Sequence, residues 1–193
     1  MPALRARQEA RLSELVELFL AAGFRHLTLA EIAAELHCSK STLYAFGQSK
    51  EQVTVHAIKQ FFKGATEAVE AAIADQPSAG ARLVAYLRAI SRALRPASAQ
   101  FMADVAEQRS AREVYERNTE SAAERVRQMI AEGVRAGEFR DVHAAFVADT
   151  VVSTMERIQA GAVTSATGLS DADAYEELAE LVLEGIRTSP RNT

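Results

Sequence analysis

Lys40, Ser41, Thr42 and Tyr44 stand within five residues of one another, with Ser39 just before them and Lys50 shortly after. On a short helix, Lys40, Ser41, Thr42, Tyr44 and Ala45 would form an exposed face of small or polar groups that allows close approach to base edges. Ser39, Lys40, Tyr44 and Lys50 could each also reach phosphate oxygens. The helix N-terminus at Ser49–Gln52 is a further ready anion site, because its first backbone N–H groups lack helical partners. Taken alone, Tyr44 reads as a half-buried helix aromatic and the two lysines as solvated charges. Their weight comes from the elements that carry them.

Leu12, Leu15, Val16 and Phe19 repeat at i, i+3, i+4 and i+7, the stripe of an amphipathic helix, and Gly23 sits where a left-handed residue would end it. Thr28-Leu-Ala-Glu31 reads as a capping box, in which hydroxyl and carboxylate each satisfy an orphan backbone donor. Leu29, Ile32, Ala33 and Leu36 then give a two-turn helix one apolar face, and after His37-Cys38, Ser39 can cap a third short helix. Two short capped helices joined by a tight turn and braced by the helix before them make a helix-turn-helix unit, whose second short helix enters the major groove. Gly47 interrupts, and Ser49-Lys-Glu-Gln52 is a second capping box that opens a long helix through Val53, Phe61, Phe62, Val69 and Ile73.

After the linker Asp75–Gly80, further helices are marked by Leu83, Leu87, Ile90 and Leu94, and by Phe101, Met102 and Val105. Ser110-Ala-Arg-Glu113 is expected to cap a helix that reaches Arg135 and closes at Gly137. Asp141 would cap the penultimate helix, about Val142 to Ala162. Its apolar residues fall on two sides: Val147, Val151 and Ile158 on one, Ala148, Val152, Met155 and Ala162 on the other. A helix apolar on two sides must be covered on both. A loop at Thr164–Leu169 precedes a last helix capped by Ser170. The expected class is all-α, with about nine helices and no strand.

Composition agrees. The 193 residues are 48% hydrophobic and 25% charged, the ordinary globular range. A single cysteine excludes a disulfide scaffold and suits a reducing, cytoplasmic setting. No apolar run approaches the ~18 residues of a membrane span, so no membrane partner is expected. Residues 1–60 hold seven Lys/Arg against six Asp/Glu, the remainder 15 against 20, which places any polyanion on the N-terminal third. His26, His37 and Cys38 are too few for a structural metal site, and Cys38 reads as a small buried hydrophobe. No phosphate-loop, dinucleotide, zinc-protease or nucleophile-elbow motif occurs, nor Glu-x-x-His, so neither enzyme activity nor a cofactor is expected.

Arg11-Leu-Ser-Glu-Leu-Val-Glu-Leu-Phe19, Gly23-Phe24, Thr28-Leu-Ala-Glu-Ile-Ala33, Ser39-Lys-Ser-Thr-Leu-Tyr44 and Ser49-Lys-Glu51 together resemble the TetR family of bacterial transcriptional regulators. Gly137-Glu-Phe-Arg-Asp141 also looks like the turn before that family's dimerisation helices. The resemblance implies that Thr28 is an N-cap and phosphate contact, that Lys40, Ser41 and Thr42 lie at or near base-reading positions, and that Tyr44 and Lys50 contact phosphate. The sequence departs from the family at Phe46-Gly47, where either the usual Phe has slid one place, the favoured reading, or its core contact is lost, and at His37-Cys38, where Gly-Val is common.

The expected organisation is therefore a helix-turn-helix DNA-binding domain over residues 1–48 and a helical effector-binding and dimerisation domain over 49–193. The expected function is sequence-specific DNA binding, as a repressor released from a pseudo-palindromic double-stranded operator by a small hydrophobic effector. The alternatives are control by a protein partner, or a helical adaptor without DNA affinity. The candidate effector lining is Phe62, Tyr86, Phe101, Val105, Met129 and Phe146, with Glu107, Tyr115 and Glu156 as polar anchors. A homodimer is expected through Val142–Ala162 and Asp171–Arg187 of both chains.

Overall fold

The computed structural model describes residues 2–139 and 144–186, so Asp141, Val142 and Arg187 lie outside the described residues. The helices are α1 (Pro2–Ala22), α2 (Leu29–Glu35), α3 (Lys40–Leu43), α4 (Lys50–Ile73) and α5 (Ala79–Leu94). They continue with α6 (Ala99–Glu107), α7 (Arg109–Arg135), α8 (Ala144–Gln159), α9 (Ala162–Thr167) and α10 (Asp171–Ile186). Among the described residues there is no strand, and the protein is all-α.

Packing groups these helices into two compact units that cut across chain order: Met1–Gly64 with Pro96–Glu116, and Ala65–Arg95 with Arg117–Thr193. The reason lies in the apolar surface that a helix-turn-helix leaves uncovered. Phe19 and Phe24 need partners, and α6 supplies Phe101, whose ring stands edge-on 5.9 Å from that of Phe24. Phe61 of α4 meets Phe101 at 5.9 Å, and Phe62 stacks on Tyr115 of α7 at 5.2 Å. The start of α4, all of α6 and the start of α7 therefore belong to the first unit. Leu15, Ile32, Leu43 and Val53, one from each of the first four helices, are completely buried.

In the second unit α10 lies along α5, and Arg88 of α5 pairs with Glu176, at 3.2 Å, and with Glu180. Arg82 joins α5 to Glu132 of α7 at 3.0 Å, and Arg125 of α7 reaches Glu70 of α4 at 3.1 Å. Of the two apolar sides expected on the penultimate helix, Ala148, Val152 and Met155 are buried. Val147, Val151 and Ile158 line a groove of about 450 Å³ shared with Leu178, Leu181 and Val182 of α10.

Two local expectations are corrected. The segment expected as a loop at Thr164–Leu169 is largely the short helix α9, giving ten helices among the described residues rather than nine. Gly161 and Gly168, at φ +72° and +78°, end α8 and α9 in turn, so Ala162 is not part of the penultimate helix. Second, Ser110 does not cap α7. Gln108 breaks the chain between α6 and α7, and its carbonyl accepts from Ala111 and Arg112 at 3.0 and 2.9 Å. Ser110 thus lies inside the helix, its hydroxyl accepting from the Gln108 amide at 3.2 Å, while Glu113 pairs with Arg109.

Candidate nucleic-acid interface

α2 begins with both halves of its capping box. The Thr28 hydroxyl accepts from the Glu31 N–H at 3.2 Å, and the Glu31 carboxylate accepts from the Thr28 N–H at 2.7 Å. That backbone hydrogen bond, with the Thr28 hydroxyl, holds the Glu31 carboxyl below the usual range. The helix ends in a Schellman motif: the Cys38 N–H donates to Ala33 O at 2.8 Å and the His37 N–H to Ala34 O at 3.0 Å. Such a cap needs a left-handed residue, and His37 takes it at φ +48°, the only non-glycine with positive φ among the described residues. The tight turn therefore survives the His37-Cys38 departure, at the cost of backbone strain. Arg11 of α1 also donates to the Leu36 carbonyl.

α3 is a single turn, capped by Ser39, whose hydroxyl accepts from the Thr42 N–H at 3.2 Å. The same oxygen lies 2.7 Å from the Ser41 hydroxyl and 2.9 Å from that of Thr42, so three hydroxyls cluster on exposed side chains. Leu43 points the other way and is completely buried. One turn thus presents Lys40, Ser41 and Thr42 to solvent while a leucine anchors it. Tyr44 follows at the helix end, 43% exposed.

The departure at Phe46-Gly47 also resolves. Phe46 is buried, with its ring 5.7 Å from that of His56, so the core contact is kept. At the opening of α4, Ser49 accepts from the Gln52 N–H at 3.2 Å, but the Gln52 side chain reaches past Ser49 to the Gln48 N–H at 2.8 Å. The expected capping box is therefore displaced by one residue on one side. Lys50 is half-buried and donates to the Arg25 carbonyl at 2.7 Å. Burial pushes its ammonium below the ordinary lysine value.

The candidate effector residues are divided between the two units. Phe62, Phe101, Val105 and Tyr115 are buried in the first unit, and Tyr86 and Met129 in the second. Burial, with Glu70 adding to it, pushes the Tyr86 phenol up to about 12. Phe146 is 70% exposed and lines the α8–α10 groove, Glu156 is exposed, and Glu107 is an exposed carboxylate paired with Arg25.

One group was missed by sequence reasoning. Asp104 of α6 is 2% exposed and accepts from the N–H groups of Phe24, at 2.6 Å, and Arg25, at 2.8 Å. The signal was available: Phe101, Asp104 and Val105 form an i, i+3, i+4 stripe with a carboxylate at a core position.

Residues 12–57 match the family described as bacterial regulatory proteins, tetR family. Among solved structures, a transcriptional regulator from Saccharomonospora viridis in complex with choline is similar at TM-score 0.72 and 19% identity, over 96% of this chain and 100% of that one. A TetR-family regulator from Rhodococcus sp. is similar at 0.70 and 17%, over 94% and 98%. One of the TetR/AcrR family from Thermobifida fusca is similar at 0.64 and 23%, over 95% and 100%. At these identities the likeness is one of fold. No curated protein matches the chain.

Proposed function

We propose, on the premise that residues 12–57 belong to the tetR family of bacterial regulatory proteins, that this protein binds double-stranded DNA sequence-specifically and represses transcription until a small effector releases it. The observation that carries this reading is the construction of α3. A single turn is anchored by buried Leu43 and presents Lys40, Ser41 and Thr42 outward, beside Tyr44 and the N-terminus of α4. In the proposed complex Lys40, Ser41 and Thr42 face base edges, while Thr28, Ser39, Tyr44 and Lys50 hold phosphates.

One such turn reads too few bases to find a site in a genome, so the active species is proposed to be a twofold dimer on a pseudo-palindromic operator. The α8–α10 groove supports this: Phe146 and Leu181 are each 70% exposed along its apolar wall. A second copy of the same groove would cover both. The effector is proposed to be a small apolar or cationic molecule. The fold relative from S. viridis was crystallised with choline, and the buried rings of Phe62, Phe101 and Tyr115 are of the kind that hold such cations.

Selection of bound sites from random duplex DNA, followed by affinity measurements across salt concentration, tests the reading. Recovery of a palindromic consensus with a steep salt slope is expected. Failure to enrich any sequence would leave a helical adaptor in its place.

A further inference from the structure

Asp104 occupies a core position where an apolar residue would pack more simply, because a buried carboxylate is costly unless its oxygens are hydrogen-bonded. Here they are. One oxygen accepts from the N–H groups of Phe24 and Arg25, at 2.6 and 2.8 Å, and the other from the Gln100 amide at 2.8 Å. The loop it grips is held elsewhere too. The Arg25 carbonyl accepts from Lys50 at the start of α4, and its guanidinium pairs with Glu107, one turn beyond Asp104. The Ser98 N–H, at the cap of α6, donates to the Leu20 carbonyl at 2.8 Å. Gly23 fits the grip: at φ +77°, a Cβ there would stand 2.7 Å from the Asp104 oxygen.

Arg25 is therefore fixed at its N–H, its carbonyl and its side chain, three residues before the Thr28 cap of α2. Apolar contacts let surfaces slide, whereas paired N–H···O bonds set direction.

We infer that Asp104 is a positioning residue for DNA recognition: through the Phe24 and Arg25 amides it makes the placement of α6 decide how α2 and α3 are presented. The inference rests on the DNA-binding reading above.

The test uses the full chain, the duplex consensus selected by the wild type, and the same duplex with one base pair inserted between its half-sites. Asp104→Asn keeps the shape and removes the charge. At a temperature where circular dichroism shows it folded, it is expected to bind the consensus at least tenfold more weakly. The wild type's preference for correct spacing is expected to shrink to less than threefold, because a loosened joint tolerates the wrong one. Asp104→Glu, which keeps the charge and moves it by one carbon, is expected to act in the same direction and serves if Asp104→Asn does not fold. A merely structural role would weaken both duplexes by one factor and preserve the preference, which would overturn the inference, as would unchanged affinities. A wild type that selects no sequence would overturn the DNA-binding reading itself, a result distinct from either.

Discussion

Gly47 approaches Gln52 so closely that a Cβ on the glycine would stand 2.6 Å from the Cβ of Gln52 and 2.7 Å from the Val53 backbone nitrogen. This contact joins the turn after α3 to the first turn of α4, and no flexible side-chain tip can yield to relieve it. Gly47→Ala should therefore destabilise the protein by ~2 kcal/mol, the range of a forced overpacking. Urea unfolding measures it, and a loss below ~0.5 kcal/mol would show that the two helices separate easily.

His37 should behave in the opposite sense. Its left-handed backbone costs an L-residue roughly 1–2 kcal/mol, and its side chain is exposed. His37→Gly is expected to stabilise by about 1 kcal/mol, since glycine adopts the left-handed cap freely but orders a floppier unfolded chain. His37→Val should destabilise, being β-branched at a positive φ. Unfolding midpoints that rank Val above Gly would contradict the Schellman cap.

Lys50 and Thr42 are expected to separate affinity from specificity. Lys50→Ala should weaken binding about equally for all duplexes and lower the salt slope by about one. It should also lower stability by about 1 kcal/mol, because the Arg25 carbonyl loses its donor. Thr42→Ala should keep the slope and alter base preference. Site selection with each variant decides between these patterns.

The α8–α10 groove yields a prediction about assembly. Leu181→Glu places a charge at the centre of the proposed dimer face, on a side chain already 70% exposed. The variant should remain folded yet run as a monomer at micromolar concentration by light scattering, where the wild type runs as a dimer. Dimers from both proteins would remove this face from consideration.

Acid should act through Asp104. Burial by itself would raise its carboxyl, but the Arg25 and Phe24 amides and the Gln100 side chain outweigh burial and hold it below the ordinary value. The native form then binds fewer protons than the unfolded chain, whose aspartates titrate near ~3.9. The stability this group contributes is complete above that value and is lost as pH falls through the lower native one. Asp104→Asn should be less stable at about pH 7 and should show a flatter decline than the wild type between about pH 5 and pH 2. Parallel acid limbs for the two proteins would refute it.

Sequence by itself determined what depends on neighbours along the chain. Helices, caps and turns are set by contacts three to five residues apart, so Thr28-Glu31, Ser39-Thr42, Gly23 and the apolar stripe of α1 could be read directly. The candidate DNA-facing segment was legible for the same reason, since Ser39 to Lys50 is one local run of capped turns. Tertiary structure alone decided what depends on residues brought together from afar. The grip of Asp104 on Arg25 spans 79 positions, and an acidic residue in an apolar stripe does not say which backbone it will meet. Which compact unit Phe62, Tyr86 and Phe146 each join was likewise undetermined, because periodicity gives the buried side of a helix but not its neighbour. α9 escaped notice because one and a half turns carry too few residues for a period to show, and its two left-handed glycines act only once the chain has turned. The grouping of α6 with the helix-turn-helix follows from the same physics: an uncovered pair of phenylalanines is closed by whichever helix the fold delivers to it.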